Sequence, residues 1–323
     1  MRRTRTGLWT SHLMALATCL GLAATGCDSD SSTKPAADAS QQDSQESDVP
    51  WIPIDPFACP NVCGGGQIYA LDHITLLPAD SSGVAAGFDL DGLNSDHGDG
   101  TGCGFADLKN QYGDVGIDNQ FGAILKLLPT QVGDTLPGAL ATSIAAGGLT
   151  VLMEEVGPSG VADNAAPKAV VIRKGLGVPL LGTDGKLLES QSFGLEADPV
   201  LVVMDQLAWD GTGVRGGPHA MKFRMLFVDK NLGFTMRVAK MRYESDGKGG
   251  IQGEIGGIVT LDEVMGLVGL LGGCDEPLRQ QLADIAPSFA DSTLEPGGAC
   301  EGFSMGFSFH GVPAHLLQTA RKP

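Results

Sequence analysis

From Phe303 to His310 two kinds of side chain alternate without a break: Phe303, Met305, Phe307 and Phe309 against Ser304, Gly306, Ser308 and His310. A repeat of two places every large apolar group on one face of an extended chain, which a helix, with its repeat near 3.6, cannot do. Segments of strand composition recur at Gln67–Leu77, Val84–Leu90, Leu149–Val156, Lys168–Lys174 and Pro199–Asp205. Phe223–Val228 and Phe234–Tyr243 predict a hairpin across the intervening Asp229–Gly233. Turn chemistry follows the same plan, because Asp184-Gly185 and Asp246-Gly247 supply the positive φ that tight hairpins require. With 47 glycines in 323 residues, the expectation is a mainly β fold with some α: an antiparallel β-sandwich-like domain with a few packed helices.

Helical signals are few and local. Ile117, Phe121, Ile124, Leu125 and Leu128 share one face at helical spacing. Thr260 and Glu263 have capping-box spacing ahead of Leu261, Val264, Met265, Val268 and Leu271, and Gly272-Gly273 ends that run. A short helix fits Pro277–Ala286. The uncharged stretch from Thr135 to Met153 is interrupted by Pro137 and by Gly147-Gly148, so it reads as a helix-to-strand break in buried core rather than a membrane span.

The first fifty residues have a different character. Arg2, Arg3 and Arg5 precede an apolar stretch from Leu13 to Ala24 and small residues before Cys27, the order of a secretory signal. Ala24-Thr25-Gly26-Cys27 resembles the lipobox of bacterial lipoproteins. That resemblance implies cleavage after residue 26, lipid on Cys27, and anchoring to a membrane of the bacterial cell envelope. Residues 27–50, rich in Asp, Ser, Gln and Ala, carry too little apolar surface to fold, and read as a disordered acidic tether with a coil span of about 25 Å. Residues 51–323 are then expected to form a single β-rich globular domain, with two closely packed subdomains as the alternative.

Loss of the three signal arginines takes the formal charge from −17 to −20. Such a surface repels phosphate backbones, and no Lys/Arg cluster follows the signal, so nucleic acid is excluded as a partner class. Export places the remaining cysteines in an oxidising compartment. Cys274 and Cys300 bracket one helical segment far from the others and are expected to form a disulfide; one thiol is left over among Cys59, Cys63 and Cys103.

Catalytic patterns are incomplete. Gly302-Phe303-Ser304-Met305-Gly306 spells a nucleophile elbow, but no Asp or Glu follows Ser304 and the alternation runs straight through it. Gly211-Thr212-Gly213-Val214-Arg215-Gly216 spells a dinucleotide fingerprint, yet Gly217-Pro218 stands where a helix should open, so it reads as a hairpin loop. His73, His97, His219, His310 and His315 lack ligand spacing.

The segment Asp89–Cys103 is of another kind. Asp89, Asp91, Asn94, Asp96 and Asp99 place five oxygen donors within eleven residues, among glycines that let the chain curl. Leu93 and the missing closing Glu exclude an EF-hand. The pattern Asp89, Asp91, Gly92, Asp96, Asp99 and Cys103 resembles a calcium-binding repeat of thrombospondin type 3, which implies a structural calcium ion on these residues. The expected function is therefore a lipid-anchored envelope protein of binding or structural type with a calcium-stabilised loop. The competing expectation is an envelope hydrolase working through carboxylates that the sequence does not pair.

Overall fold

Alternation and turn chemistry are realised in long, paired strands. A computed structural model of the chain describes residues 66–317 apart from 77–78, 96–101, 128–129, 158, 228–229, 272–279, 281–282 and 295–297. The strands in chain order are β1 (Ile68–Thr75), β2 (Leu108–Lys109), β3 (Val115–Ile117), β4 (Val151–Val156), β5 (Ala169–Leu176) and β6 (Gln191–Met204). They continue with β7 (Ala208–Trp209), β8 (Val214–Phe227), β9 (Lys230–Ser245), β10 (Ile251–Thr260), β11 (Ser292–Thr293) and β12 (Cys300–Leu316). The helices are α1 (Phe121–Leu127), α2 (Thr130–Ala145) and α3 (Leu261–Leu271).

The expected sandwich is replaced by a ten-stranded, barrel-like sheet in the order β1-β4-β5-β6-β12-β10-β9-β8-β7, with β11 beside β12, and a separate two-stranded sheet of β2 and β3. The reason lies in β12, which at 17 residues is long enough to take partners along both edges. It pairs antiparallel with β10 from Gly302 to Gly311 and with β1 from Ser308 to Ala314, then parallel with β6 over Ala314–Leu316. The β1–β12 ladder closes the ring β1-β4-β5-β6-β12, and β10, β9, β8 and β7 continue the sheet from β12 outside that ring. The alternation that predicted β12 now has a physical meaning: Phe303, Met305, Phe307 and Phe309 all enter the main core with Tyr69, Met153, Ile172, Met204, Met221 and Tyr243.

Other local expectations are met with adjusted limits. The β8–β9 hairpin is longer than predicted, since Asn231, Leu232 and Gly233 pair with Leu226, Met225 and Arg224 instead of turning. The capping box forms: Thr260 N donates to Glu263 Oε2 at 2.7 Å, and Glu263 N donates to Thr260 Oγ1 at 3.4 Å. Gly211–Gly213 joins β7 to β8 as a hairpin loop, and Ser304 sits fully buried inside β12. Of the second helix expected at Pro277–Ala286, Gln280 and residues 283–285 are helical and Ala286 opens a 3-10 turn, while residues 277–279 and 281–282 lie outside the described residues.

One expected strand fails in an instructive way. Val84–Leu90 makes only isolated bridges, Val84 to Lys109 and Phe88 to Asp118. It lies across the sheet face where glycines leave room. A Cβ on Gly306 would fall 2.2 Å from the Ala86 carbonyl oxygen, and one on Gly256 3.0 Å from the Phe88 ring. Asn119 Nδ2 donates to the Ala86 carbonyl at 2.8 Å and fixes the crossing. This crossing brings the Asp-rich segment onto β3.

Candidate metal centre

The crossing segment turns sharply after Phe88. Gly92 N donates to Asp89 Oδ1 at 2.6 Å and Leu93 N to Asp91 Oδ1 at 2.8 Å, so the two carboxylates fold the loop around themselves. β3 supplies the opposite wall. Its Gly116, at φ +75°, must be glycine because a Cβ there would meet the Leu93 carbonyl oxygen at 2.6 Å. Just past β3, Asp118 N donates to the Phe88 carbonyl at 3.0 Å, and Asp118 Oδ2 accepts from Leu90 N at 2.6 Å.

This places oxygens of Asp89, Asp91 and Asp118 within 4.8 Å of one another. Asp118 is buried, Asp89 half-buried and Asp91 exposed. Burial pushes the Asp118 carboxyl up to about 8 against the lowering effect of the Leu90 hydrogen bond, with Asp91, Asp291 and Asp107 repelling its charge further. Asp107 is also shifted upward, chiefly by burial; its side chain accepts from Ser95 N, and Asp107 N donates back to the Ser95 carbonyl at 3.0 Å. Asp291, buried and pushed up to about 6, binds the Ser304 hydroxyl and accepts from Ser304 N at 2.8 Å. Asp107, Asp118 and Asp291 line one cavity of about 120 Å³ together with Gln120 and Lys126.

Chemically, a hard divalent cation is what such a set of oxygens suits. Calcium takes 6–8 oxygen ligands at 2.3–2.6 Å with loose geometry, and carboxylates with nearby carbonyls supply them. Of the sequence-predicted ligands, the structure brings Asp89 and Asp91 together. Asn94 is exposed, and Asp96 and Asp99 lie outside the described residues. Asp118 was not anticipated: it stands 27 positions beyond Asp91, without a local motif, and only its pairing with Phe88 reveals it.

The disulfide expectation is corrected. Cys300 bonds Cys103, not Cys274, with a Cα–Cα distance of 5.9 Å. Cys274 itself lies outside the described residues, as do Cys27, Cys59 and Cys63. Bracketing a helix in sequence set no distance between Cys274 and Cys300. Ala86 and Gly87 cross β12 at Gly306, and the bond fastens Cys103, at the far end of the Asp-rich segment, to the start of that strand.

Among known proteins, the chain matches no family model, no curated protein and no solved structure.

Proposed function

We propose that this chain is an exported lipoprotein of the bacterial cell envelope, anchored through lipid on Cys27, whose β domain is a binding or structural module stabilised by calcium at Asp89, Asp91 and Asp118. The observation that carries the metal assignment is a buried carboxylate facing two others in a loop curled around its own aspartates. Leaving such a group ionised without a cation is costly, and a divalent ion offsets that cost while ordering the loop. The cavity beside Asp118, about 120 Å³, has room for an ion or a few waters. The lipid assignment draws its support from the lipobox-like Ala24–Cys27.

Two measurements test the parts separately. Metabolic labelling with a fatty acid should mark the wild type and leave a Cys27→Ser variant unmarked; label on the variant rejects the anchor. Calcium titration of the mature protein by calorimetry should show saturable uptake that Asp118→Asn removes. Uptake unchanged by Asp118→Asn rejects the site.

A further inference from the structure

A cleft of about 660 Å³ opens where the β2–β3 hairpin faces β7, β8 and β9. That volume lies within the range of small-molecule sites. The sequence makes the space by withholding side chains. β8 and β9 fall out of step between Gly216 and His219, so that Gly217 and Pro218 stand opposite Lys240 alone. Gly216 and Gly217 both line the cleft, and neither has room for a side chain. A Cβ on Gly216 would fall 2.3 Å from Leu207 Cδ2, and one on Gly217 2.4 Å from the Ala239 carbonyl oxygen. Bulges of this kind interrupt pairing and re-aim side chains beside ligand sites. The side chain at this one is Lys240.

Lys240 is half-buried and lines the cleft, and its Nζ donates to the main-chain carbonyl of Asp89 instead of to a carboxylate. The Asp89 carboxylate is engaged within its own loop, where it accepts from Gly92 N at 2.6 Å. The other acid on the wall, Asp114, is already held by Arg215, with Nη2 3.1 Å from Oδ2, and Arg215 Nε bonds Asp210 as well. Among the described residues no carboxylate pairs with Lys240. A half-buried ammonium facing only a neutral acceptor keeps an unmatched charge, and walls of low dielectric strengthen its pull on an anion. Phe88, Val115 and Ala208 supply apolar surface in the same cleft, with Val115 49 % exposed. One unmatched point charge beside apolar wall suits a ligand with one negative charge and a hydrocarbon body.

We infer that the cleft between the β2–β3 hairpin and β7–β9 binds a small organic acid, its carboxylate on Lys240 and its apolar body against Phe88, Val115 and Ala208. This rests on the reading of the domain as a binding module and names the class of ligand. Asp89 joins the two sites, since its carboxylate belongs to the calcium set and its carbonyl receives Lys240.

The test is calorimetric titration of the mature protein with sodium octanoate, and separately with octylammonium chloride, which has the same body and the opposite charge. Octanoate should show saturable uptake at one site, and octylammonium none. Lys240→Gln keeps a donor for the Asp89 carbonyl but drops the charge, and should weaken octanoate by about tenfold or more. Exposed Ala208 pairs with Arg215 on the cleft wall, so Ala208→Trp should fill the space and abolish octanoate uptake while melting as the wild type does. Equal uptake of the two probes, or octanoate uptake unchanged in both variants, overturns the inference. Absent octanoate uptake beside saturable calcium uptake overturns this inference alone, and absence of both overturns the binding module with it.

Discussion

His310 shows how single residues set the pH response. A shift in the β1–β12 register between Leu71 and His73 leaves Asp72 out of step, and the bulge aims it at His310. The imidazole lies with Nδ1 2.6 Å from Asp72 Oδ1 and Nε2 3.1 Å from Asp246 Oδ2, so both nitrogens face acceptors and the doubly protonated cation fits. Burial opposes that charge, but the two carboxylates prevail and raise the pKa. A raised folded-state value contributes stability that is complete below the unfolded value, about 6.5, and is lost as pH rises through the folded one. Melting curves of wild type and Asp72→Asn should therefore diverge most in mildly acidic solution and converge at alkaline pH. A difference that is constant across that range would contradict the ion pair. None of this was legible in the sequence, where His310 is one of several scattered histidines, because a bulge on one strand and a turn beyond another make its environment.

At the scale of elements, legibility follows sequence distance. β12, the β8–β9 hairpin and the capped start of α3 could be read because alternation, turn residues and a Thr-x-x-Glu spacing are local. Val84–Leu90 has strand composition but is diverted over Gly256 and Gly306, whose role is to be small against a segment some 170 to 220 positions away. The same diversion decides the disulfide. Cys103–Cys300 closes a separation of 197 residues, for which the chain-entropy model gives about 5 kcal/mol. Cys103→Ser should lower stability by roughly 2–5 kcal/mol in denaturant titration and weaken calcium uptake, since it frees the end of the Asp-rich segment. Non-reducing peptide mapping should recover Cys103 with Cys300, and recovery of Cys274 with Cys300 would contradict the pairing.

Over the whole molecule, composition correctly indicated a mainly β chain with few helices, but not that β1, β4, β5, β6 and β12 close into a ring. Closure depends on β12 finding β1 and β6 at once, and no periodicity encodes that. The candidate site shows the same division. Asp89 and Asp91 stand in a visible motif, whereas Asp118 joins them only through the fold. Because its buried carboxyl is held up to about 8, Asp118 is the point where proton, calcium and stability meet. Asp118→Asn keeps the size and the acceptor for Leu90 N while removing the buried charge, so in chelator it should melt no lower than wild type. Calcium binding only the folded wild type adds about 2.7 kcal/mol at a hundredfold excess over Kd. Magnesium, which demands a tight octahedral site, should do much less. The decisive measurement is thermal melting of the mature protein in calcium, magnesium and chelator, with Asp118→Asn alongside. A calcium-specific rise in Tm for the wild type that the variant lacks is the predicted result. Identical melting of the wild type in all three conditions would contradict a calcium site at Asp89, Asp91 and Asp118.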